Sequence, residues 1–87
     1  MRSLGKKEKL IKKLKSRPKD MSFDEAETLL RYLGYAKDDR GRASGSAVSF
    51  ADADGDRIFM HKPHPRKELK MYQIDMLIEK LEAEGRI

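Results

Sequence analysis

The chain has 87 residues and a mass of 10.1 kDa, so we expect a single domain. Only 38% of its residues are hydrophobic and 40% are charged, which predicts a small core and a largely solvated surface. It contains no cysteine, and this excludes a disulfide framework, a thiol nucleophile and a thiolate zinc site.

The net charge is +5, and the excess positive charge lies at the N-terminus. Residues 1–20 hold nine basic and two acidic side chains, whereas residues 21–87 hold eleven and thirteen. We therefore predict a basic N-terminal extension over residues 1–20, helical in part, and a folded domain over residues 21–87. A basic chain favours nucleic acid or an acidic protein as its partner. The basic N-terminus has no hydrophobic segment followed by a cleavage site, so we expect a cytoplasmic protein without a membrane contact.

The first predicted helix runs from Lys6 to Ser16 and carries a narrow apolar stripe among lysines. Its apolar residues are Leu10, Ile11 and Leu14, and Pro18 ends the pattern. Two interpretations remain open: a helix docked on the core with solvated lysines, or an arm that becomes ordered on RNA or a protein partner.

The second predicted helix spans residues 23–33 and has clear start and stop signals. Ser22 and Glu25 form a capping box, and Gly34 lies where a left-handed C-cap residue belongs. Apolar residues recur at helical spacing between these two ends.

The pattern then changes to a period of two, which indicates strands. We predict an edge strand over Tyr35 to Asp38, a strand over Ser46 to Ala51 and a returning strand over Arg57 to His61. The intervening Asp52 to Asp56 segment is typical of a hairpin turn. Although Asp52, Asp54 and Asp56 resemble the start of a calcium loop, Arg57 and Pro63 occupy the positions that require glycine and glutamate.

The segment Lys62-Pro63-His64-Pro65 is predicted to be an exposed, stiffened loop, because proline lacks the amide donor that a sheet requires. A last helix over residues 71–84 follows, with apolar residues at helical spacing and Gly85 at its end. The predicted fold is α+β, in the order α-α-β-β-β-α, with helices covering one side of a three-stranded antiparallel sheet.

The ordered set of motifs over residues 23–87 resembles the HicA family of toxins from bacterial toxin–antitoxin modules. The resemblance is carried by Leu33-Gly34-Tyr35, Ser44-Gly45-Ser46-Ala47-Val48-Ser49-Phe50, His61-Lys62-Pro63-His64-Pro65 and Glu68-Leu69-Lys70. It implies a fold like that of a double-stranded-RNA-binding domain and a ribonuclease that cleaves messenger RNA without a metal or other cofactor. It also implies a HicB-like antitoxin that binds the toxin and blocks its site.

One position departs from this resemblance. Better-known members carry a catalytic histidine directly after the Gly-Ser of the second strand, and Ala47 occupies that position here. A longer, lysine-rich branch of the family shares the Ser-Gly-Ser strand without that histidine and keeps the His-Lys-Pro-His-Pro loop.

The only two histidines of the chain, His61 and His64, are the candidate catalytic residues. Cleavage of RNA through its own 2′-hydroxyl needs a base, an acid and cations for the phosphorane charge, and histidine is the residue type that titrates near neutral pH. Lys62 or Arg66 would stabilise the charge. Alternatively, the loop only binds RNA, or its histidines only cap or pack against the turn. Two histidines are too few for a metal site, so we expect none.

Other residues are candidate RNA contacts. Arg42, Ser44 and Ser46 lie in a segment of small residues that would let the backbone approach a phosphate, although a plain β-turn explains them equally well. The aromatic residues that would stack on unpaired bases are Tyr35, Tyr72, Phe50 and Phe59. Tyr35 is expected to be the most exposed, whereas Phe50 and Phe59 are typical of core or sheet-face positions.

The leading hypothesis is therefore a HicA-like toxin that binds and cleaves messenger RNA without a metal. Two alternatives stay open on the same fold: a non-catalytic RNA-binding module, and a protein-interaction module that docks its lysine-rich helix on an acidic partner.

Overall fold

A computed structural model describes residues 5–38, 47–63 and 65–87, and it contains the predicted order of elements. The elements are α1 (Lys6–Lys15), α2 (Phe23–Tyr32), β1 (Ala36–Lys37), β2 (Ala47–Ala51), β3 (Arg57–His61) and α3 (Met71–Ala83). The α+β fold and the α-α-β-β-β-α order are confirmed. In the described ranges, none of the helices has the length and apolar character needed to cross a bilayer.

The capping box predicted for α2 is present. The Glu25 amide donates to Ser22 Oγ at 3.1 Å, and the Ser22 amide donates to Glu25 Oε1 at 3.0 Å. Two amides that the helix cannot satisfy internally therefore have partners, and the helix begins at Phe23 as predicted.

Both long helices end in a Schellman motif built around a glycine. After α2, Gly34 has a φ of 96°, and the Tyr35 amide donates to the Leu30 carbonyl at 2.8 Å. After α3, Gly85 has a φ of 71°, and the following amide donates to the Leu81 carbonyl at the same distance. The glycines are needed there because other residues are strained at positive φ.

Helix α1 is docked on the rest of the domain, so the first of the two interpretations of this segment is correct. Leu14 is fully buried and Leu10 is 9% exposed, and both belong to the single core cluster. Two ion pairs reinforce the contact: Lys13 with Glu25 of α2 at 2.9 Å, and Arg17, two residues after the helix, with Asp75 of α3 at 2.7 Å.

The sheet is antiparallel in the order β1-β2-β3, and one of its faces packs on the core. The other face, called the open face below, carries none of the helices within residues 5–38, 47–63 and 65–87. Phe50 of β2 lies opposite Ile58 of β3, and both are buried against the helices together with Met60. The alternate positions of β3 face away from the core, and Phe59 among them is 63% exposed. Helices on one face of such a sheet give the arrangement of a double-stranded-RNA-binding domain.

The edge strand is shorter than predicted, since β1 spans two residues where the sequence predicted four. Beyond it, the Asp38 amide donates to the Ser49 carbonyl at 2.9 Å, so the pairing continues for one further residue without regular strand geometry. Of the predicted second strand, the described part begins at Ala47.

Candidate functional site

The open face of the sheet brings His61 beside the position where the resemblance implies a catalytic histidine. Ala47, at the start of β2, is the direct antiparallel partner of His61, at the end of β3. Opposed residues in an antiparallel pair share a face of the sheet, with Cβ atoms roughly 4.5–5.5 Å apart. The His61 side chain is exposed on that face, so an imidazole lies one strand away from the Ala47 methyl group.

A buried glutamine holds the end of β3 in place. Gln73 of α3 is 4% exposed, and its Nε2 donates to the His61 carbonyl at 2.8 Å. Its Oε1 accepts from the Lys70 amide at 2.9 Å, which also caps the helix. The backbone of His61 is therefore fixed to the first turn of α3. Sequence reasoning missed Gln73, although its place at the third helical position after a non-helical residue is a capping signal.

The loop after β3 forms one wall of a cationic cleft. The cleft has a volume of about 360 Å³ and is lined by Phe23, Asp24, Lys62, Pro63, Pro65, Arg66 and Lys67. Three of the lining side chains are cations and one is acidic. The later part of the loop is pinned to the start of α2, because the Phe23 amide donates to the Lys67 carbonyl at 2.9 Å and the Leu69 amide donates to the Met21 carbonyl at 2.8 Å.

The structure places some of the predicted site residues together and leaves others outside its described ranges. Ala47 and His61 share the open face, and Lys62 and Arg66 line the adjacent cleft. The remaining predicted site residues, namely His64, Arg42, Ser44 and Ser46, lie outside the described residues.

The acidic segment between β2 and β3 is the hairpin turn that the sequence predicted. Asp52 Oδ1 accepts from the amides of Asp54 and Asp56, at 3.0 and 2.8 Å, and Gly55 has a φ of 86°. Asp52 Oδ2 pairs with Arg86, and Asp56 pairs with Lys80 at 2.7 Å. Two carboxylates of the turn thus bind cations of the C-terminal segment.

The prediction that Tyr35 is an exposed stacking residue is wrong. Tyr35 is 1% exposed, its hydroxyl donates to Asp56 at 2.9 Å, and the Arg86 guanidinium lies 5.1 Å from its ring centroid. Part of the reason is local, because the residue two positions after the C-cap of a Schellman motif packs back onto the helix. The rest is the approach of Asp56 and Arg86 from later parts of the chain. Gly34, which marks the Schellman motif, is the sequence signal for the burial of Tyr35.

Other aromatic residues are exposed instead. Phe59 on the open face is 63% exposed and Tyr72 on α3 is 59% exposed, whereas Phe50 is buried in the core beside Phe23. The signal for Phe59 is its alternation with the buried Ile58 and Met60.

Among the described ranges, 5–38, 47–63 and 65–87, there is no group of three or more histidine, aspartate or glutamate side chains arranged to hold a metal ion. The described residues bring one imidazole and an exposed aromatic ring to the open face, with cations nearby. This set can hold a phosphodiester and move a proton.

Comparison with known proteins identifies the family. The family described as the HicA toxin of bacterial toxin–antitoxin matches residues 23–83, from the first residue of α2 to the last residue of α3. No curated protein and no solved structure matches the chain. The matched segment covers well over half of the chain and includes β2, β3 and Gln73, and on that basis the chain belongs to the HicA family of toxins from bacterial toxin–antitoxin systems.

Proposed function

We propose that this toxin is a metal-independent endoribonuclease that cleaves messenger RNA in the cytoplasm, with His61 as a catalytic imidazole. The observation that carries the proposal is the pairing of Ala47 with His61 across β2 and β3. The reactive group expected on β2 is replaced by one on the neighbouring strand, on the same face of the sheet.

The reaction needs a base, an acid and a charge stabiliser. A base removes the proton of the ribose 2′-hydroxyl, whose oxygen then bonds to phosphorus while the bond to the 5′ oxygen breaks. The leaving 5′ oxygen takes a proton from the acid. His61 serves as one of these two groups and His64 as the other, and Lys62 and Arg66 stabilise the phosphorane charge. Arg42, Ser44 and Ser46 contact flanking phosphates.

The cationic cleft, whose lining begins one residue after His61, supports this assignment. Lys62 and Arg66 both line it, and the loop that carries them is attached to α2 through the Phe23 and Leu69 amides. A cationic surface on a fixed backbone positions a phosphate chain with little further ordering.

The test is a cleavage assay with the purified chain, a long RNA and excess chelator. We expect the unaltered chain to cleave, and the single variants His61→Ala and His64→Ala to lose activity by about 10²-fold or more. Glu79→Ala, an exposed change on α3, is the matched control. Undiminished cleavage by His61→Ala would refute the catalytic role of this residue.

The cross-strand geometry allows a sharper test. In the double variant Ala47→His with His61→Ala, the imidazole returns to β2 on the same face, so we expect part of the lost cleavage to be restored. Restored activity would show that the imidazole is required on this face rather than on one particular strand.

A second candidate function is a non-catalytic RNA-binding module. It is favoured by Ala47, which leaves β2 without a titratable group on the open face among its described residues. In that case, the unaltered chain binds RNA in excess chelator and does not cleave it, and Ala47→His does not cleave it either. If Ala47→His alone gains cleavage, the scaffold is a toxin that lacks its catalytic group.

The family also implies an antitoxin, and we propose that a HicB-like protein binds the chain and covers the open face. Co-expression of the product of the adjacent gene, followed by affinity capture, tests this proposal. Protection of His61 from ethoxycarbonylation by diethyl pyrocarbonate in the complex would support coverage of the face, whereas unchanged modification would contradict it.

A further inference from the structure

The open face carries an aromatic ring that the proposed chemistry does not use. Phe59 lies between Arg57 and His61 at the outward positions of β3, and its side chain is 63% exposed. Full burial of a phenylalanine side chain contributes about 1.5–3 kcal/mol, and most of that contribution is absent here. Ile58 and Met60 already supply the contribution of this strand to the core.

The described residues of β2 on the same face as Phe59 have small side chains. Its direct partner is Ser49, which is 2% exposed and whose hydroxyl donates to the Asp38 carbonyl at 2.8 Å. The outward neighbours of Ser49 on β2 are Ala47 and Ala51. These side chains are small, and the ring beside them is 63% exposed.

The charges around the ring favour an anionic ligand. Arg57 flanks Phe59 on one side and is held by Asp38 at 3.0 Å, and Lys62 follows His61 on the other side. A nucleotide combines a planar base with a negative phosphate, so it matches both the ring and its cationic surroundings.

The spacing also fits the proposed site. Outward residues two apart on a strand are separated by roughly 7 Å, since each residue rises about 3.3 Å. A base stacked on Phe59 would therefore place its sugar and phosphate beside His61.

We propose that Phe59 is a stacking platform for one unpaired base of the RNA, and that it makes the toxin selective for single-stranded over duplex RNA. This inference rests on the proposed RNA-binding function. A base held in a duplex is stacked on its neighbours and its face is not free, so a duplex loses this contact.

The test measures binding separately from cleavage. The probe is a single-stranded oligonucleotide with 2′-O-methyl groups throughout, which has no free 2′-hydroxyl and is therefore not cleaved by the proposed reaction. It carries 2-aminopurine, whose fluorescence falls on stacking. The compared proteins are the unaltered chain, Phe59→Leu, Phe59→Trp and, as the matched control, Tyr32→Leu at an exposed aromatic position on α2.

We expect Phe59→Leu to bind about 5- to 150-fold more weakly and to lose the fluorescence quench, because stacking on one base has that magnitude. Phe59→Trp and Tyr32→Leu should bind as tightly as the unaltered chain. The dependence of affinity on salt should be the same for Phe59→Leu and the unaltered chain, because no phosphate contact is removed. A duplex of the same length should bind Phe59→Leu and the unaltered chain equally.

Two failures are distinguishable. Equal affinity of Phe59→Leu and the unaltered chain for the single strand would overturn the stacking platform and leave the proposed RNA function in place. Absence of any binding by the unaltered chain at low salt would overturn both. Unchanged oligonucleotide binding together with weakened antitoxin binding in Phe59→Leu would assign the ring to the protein partner instead and so refute the proposal.

Discussion

The hydroxyl of Tyr35 donates a 2.9 Å hydrogen bond to Asp56, which joins the end of α2 to the turn between β2 and β3. Lys80 of α3 donates to the other oxygen of the same carboxylate at 2.7 Å. Three elements that are far apart in sequence therefore meet at one carboxylate, on the opposite end of β3 from His61. This network fixes the hairpin whose register places His61 opposite Ala47.

The first prediction concerns alkaline pH. Burial, followed by the hydrogen bond to Asp56, raises the pKa of Tyr35 from 10.0 to about 12. Since the neutral phenol is favoured by the fold, its contribution to stability is complete below pH 10 and is lost as the pH rises toward 12. The phenolate absorbance of Tyr35, obtained as the difference between the unaltered chain and Tyr35→Phe, should develop near pH 12. A difference titration centred at pH 10 would contradict the network.

The second prediction concerns stability at acidic pH. Hydrogen bonds from Lys80 and Tyr35 lower the pKa of Asp56 below its ordinary value of 3.8. Its contribution to stability is therefore complete above that value and is lost as the pH falls through the lowered pKa. Chemical denaturation should show Asp56→Asn to be less stable than the unaltered chain at pH 7, with a smaller difference at pH 2. Asp54→Asn, an exposed change in the same turn, is the control and should show no such trend.

The third prediction concerns α1, which lies before the segment that the family matches. Leu14 is fully buried in the core, so Leu14→Ala should lower the free energy of unfolding by about 2–5 kcal/mol. Lys15→Ala, on the exposed side of the same helix, should change it by less than about 0.5 kcal/mol. Equal stability of the two variants by urea denaturation would mean that α1 is not part of the core in solution.

The fourth prediction concerns Gln73 as a positioning residue. Gln73→Leu removes the donor to the His61 carbonyl and the acceptor for the Lys70 amide, and about 1–3 kcal/mol of stability should be lost. At a temperature where the variant is fully folded, kcat for RNA cleavage should fall while KM is unchanged, because His61 shifts and the cleft does not.

The control for this prediction is Met76→Leu, a half-exposed change on the same helix that makes no hydrogen bond to β3. A loss of stability in Gln73→Leu without any change in kcat would limit the role of Gln73 to capping α3.

The fifth prediction concerns the cationic cleft. If Lys62 and Arg66 each neutralise one phosphate, each alanine variant should reduce the slope of log affinity against log salt concentration by about 0.7 for a single-stranded RNA. Arg31→Ala, an exposed change on α2 whose side chain pairs with Glu27, should leave the slope unchanged. Fluorescence anisotropy over a range of salt concentrations measures the slope for each of the three variants and for the unaltered chain. If the Lys62 and Arg66 variants have the slope of the unaltered chain, the phosphates bind elsewhere.

Several features could be predicted from local sequence because the physics that specifies them is local. The capping box of Ser22 and Glu25 predicted the first residue of α2, and Gly34 and Gly85 predicted where α2 and α3 end. These signals are local because a helix cap involves residues only a few positions apart. The returning strand was predicted over Arg57 to His61, which is the observed span of β3, because the turn residues before it are a local signal. The motifs of residues 23–87 also indicated the family, which the match over residues 23–83 confirms.

Other features depended on contacts between distant segments. Tyr35 is buried because Asp56 and Arg86 approach it from later parts of the chain, and a reading of the edge strand alone predicted exposure. Likewise, the sequence left open whether α1 docks on the core or remains an arm. It docks because Leu14 enters the core and because Lys13 and Arg17 find acidic partners on α2 and α3.

The sequence by itself determined the types of the elements, their ends and the residues available for chemistry. Only the tertiary structure decided that His61 lies opposite Ala47, because the register of two strands depends on the turn that joins them and on how the hairpin packs. The turn closes between Ala51 and Arg57, and Gln73 fixes the other end of β3. Register and burial are properties of distant segments in contact, so no local pattern specifies them.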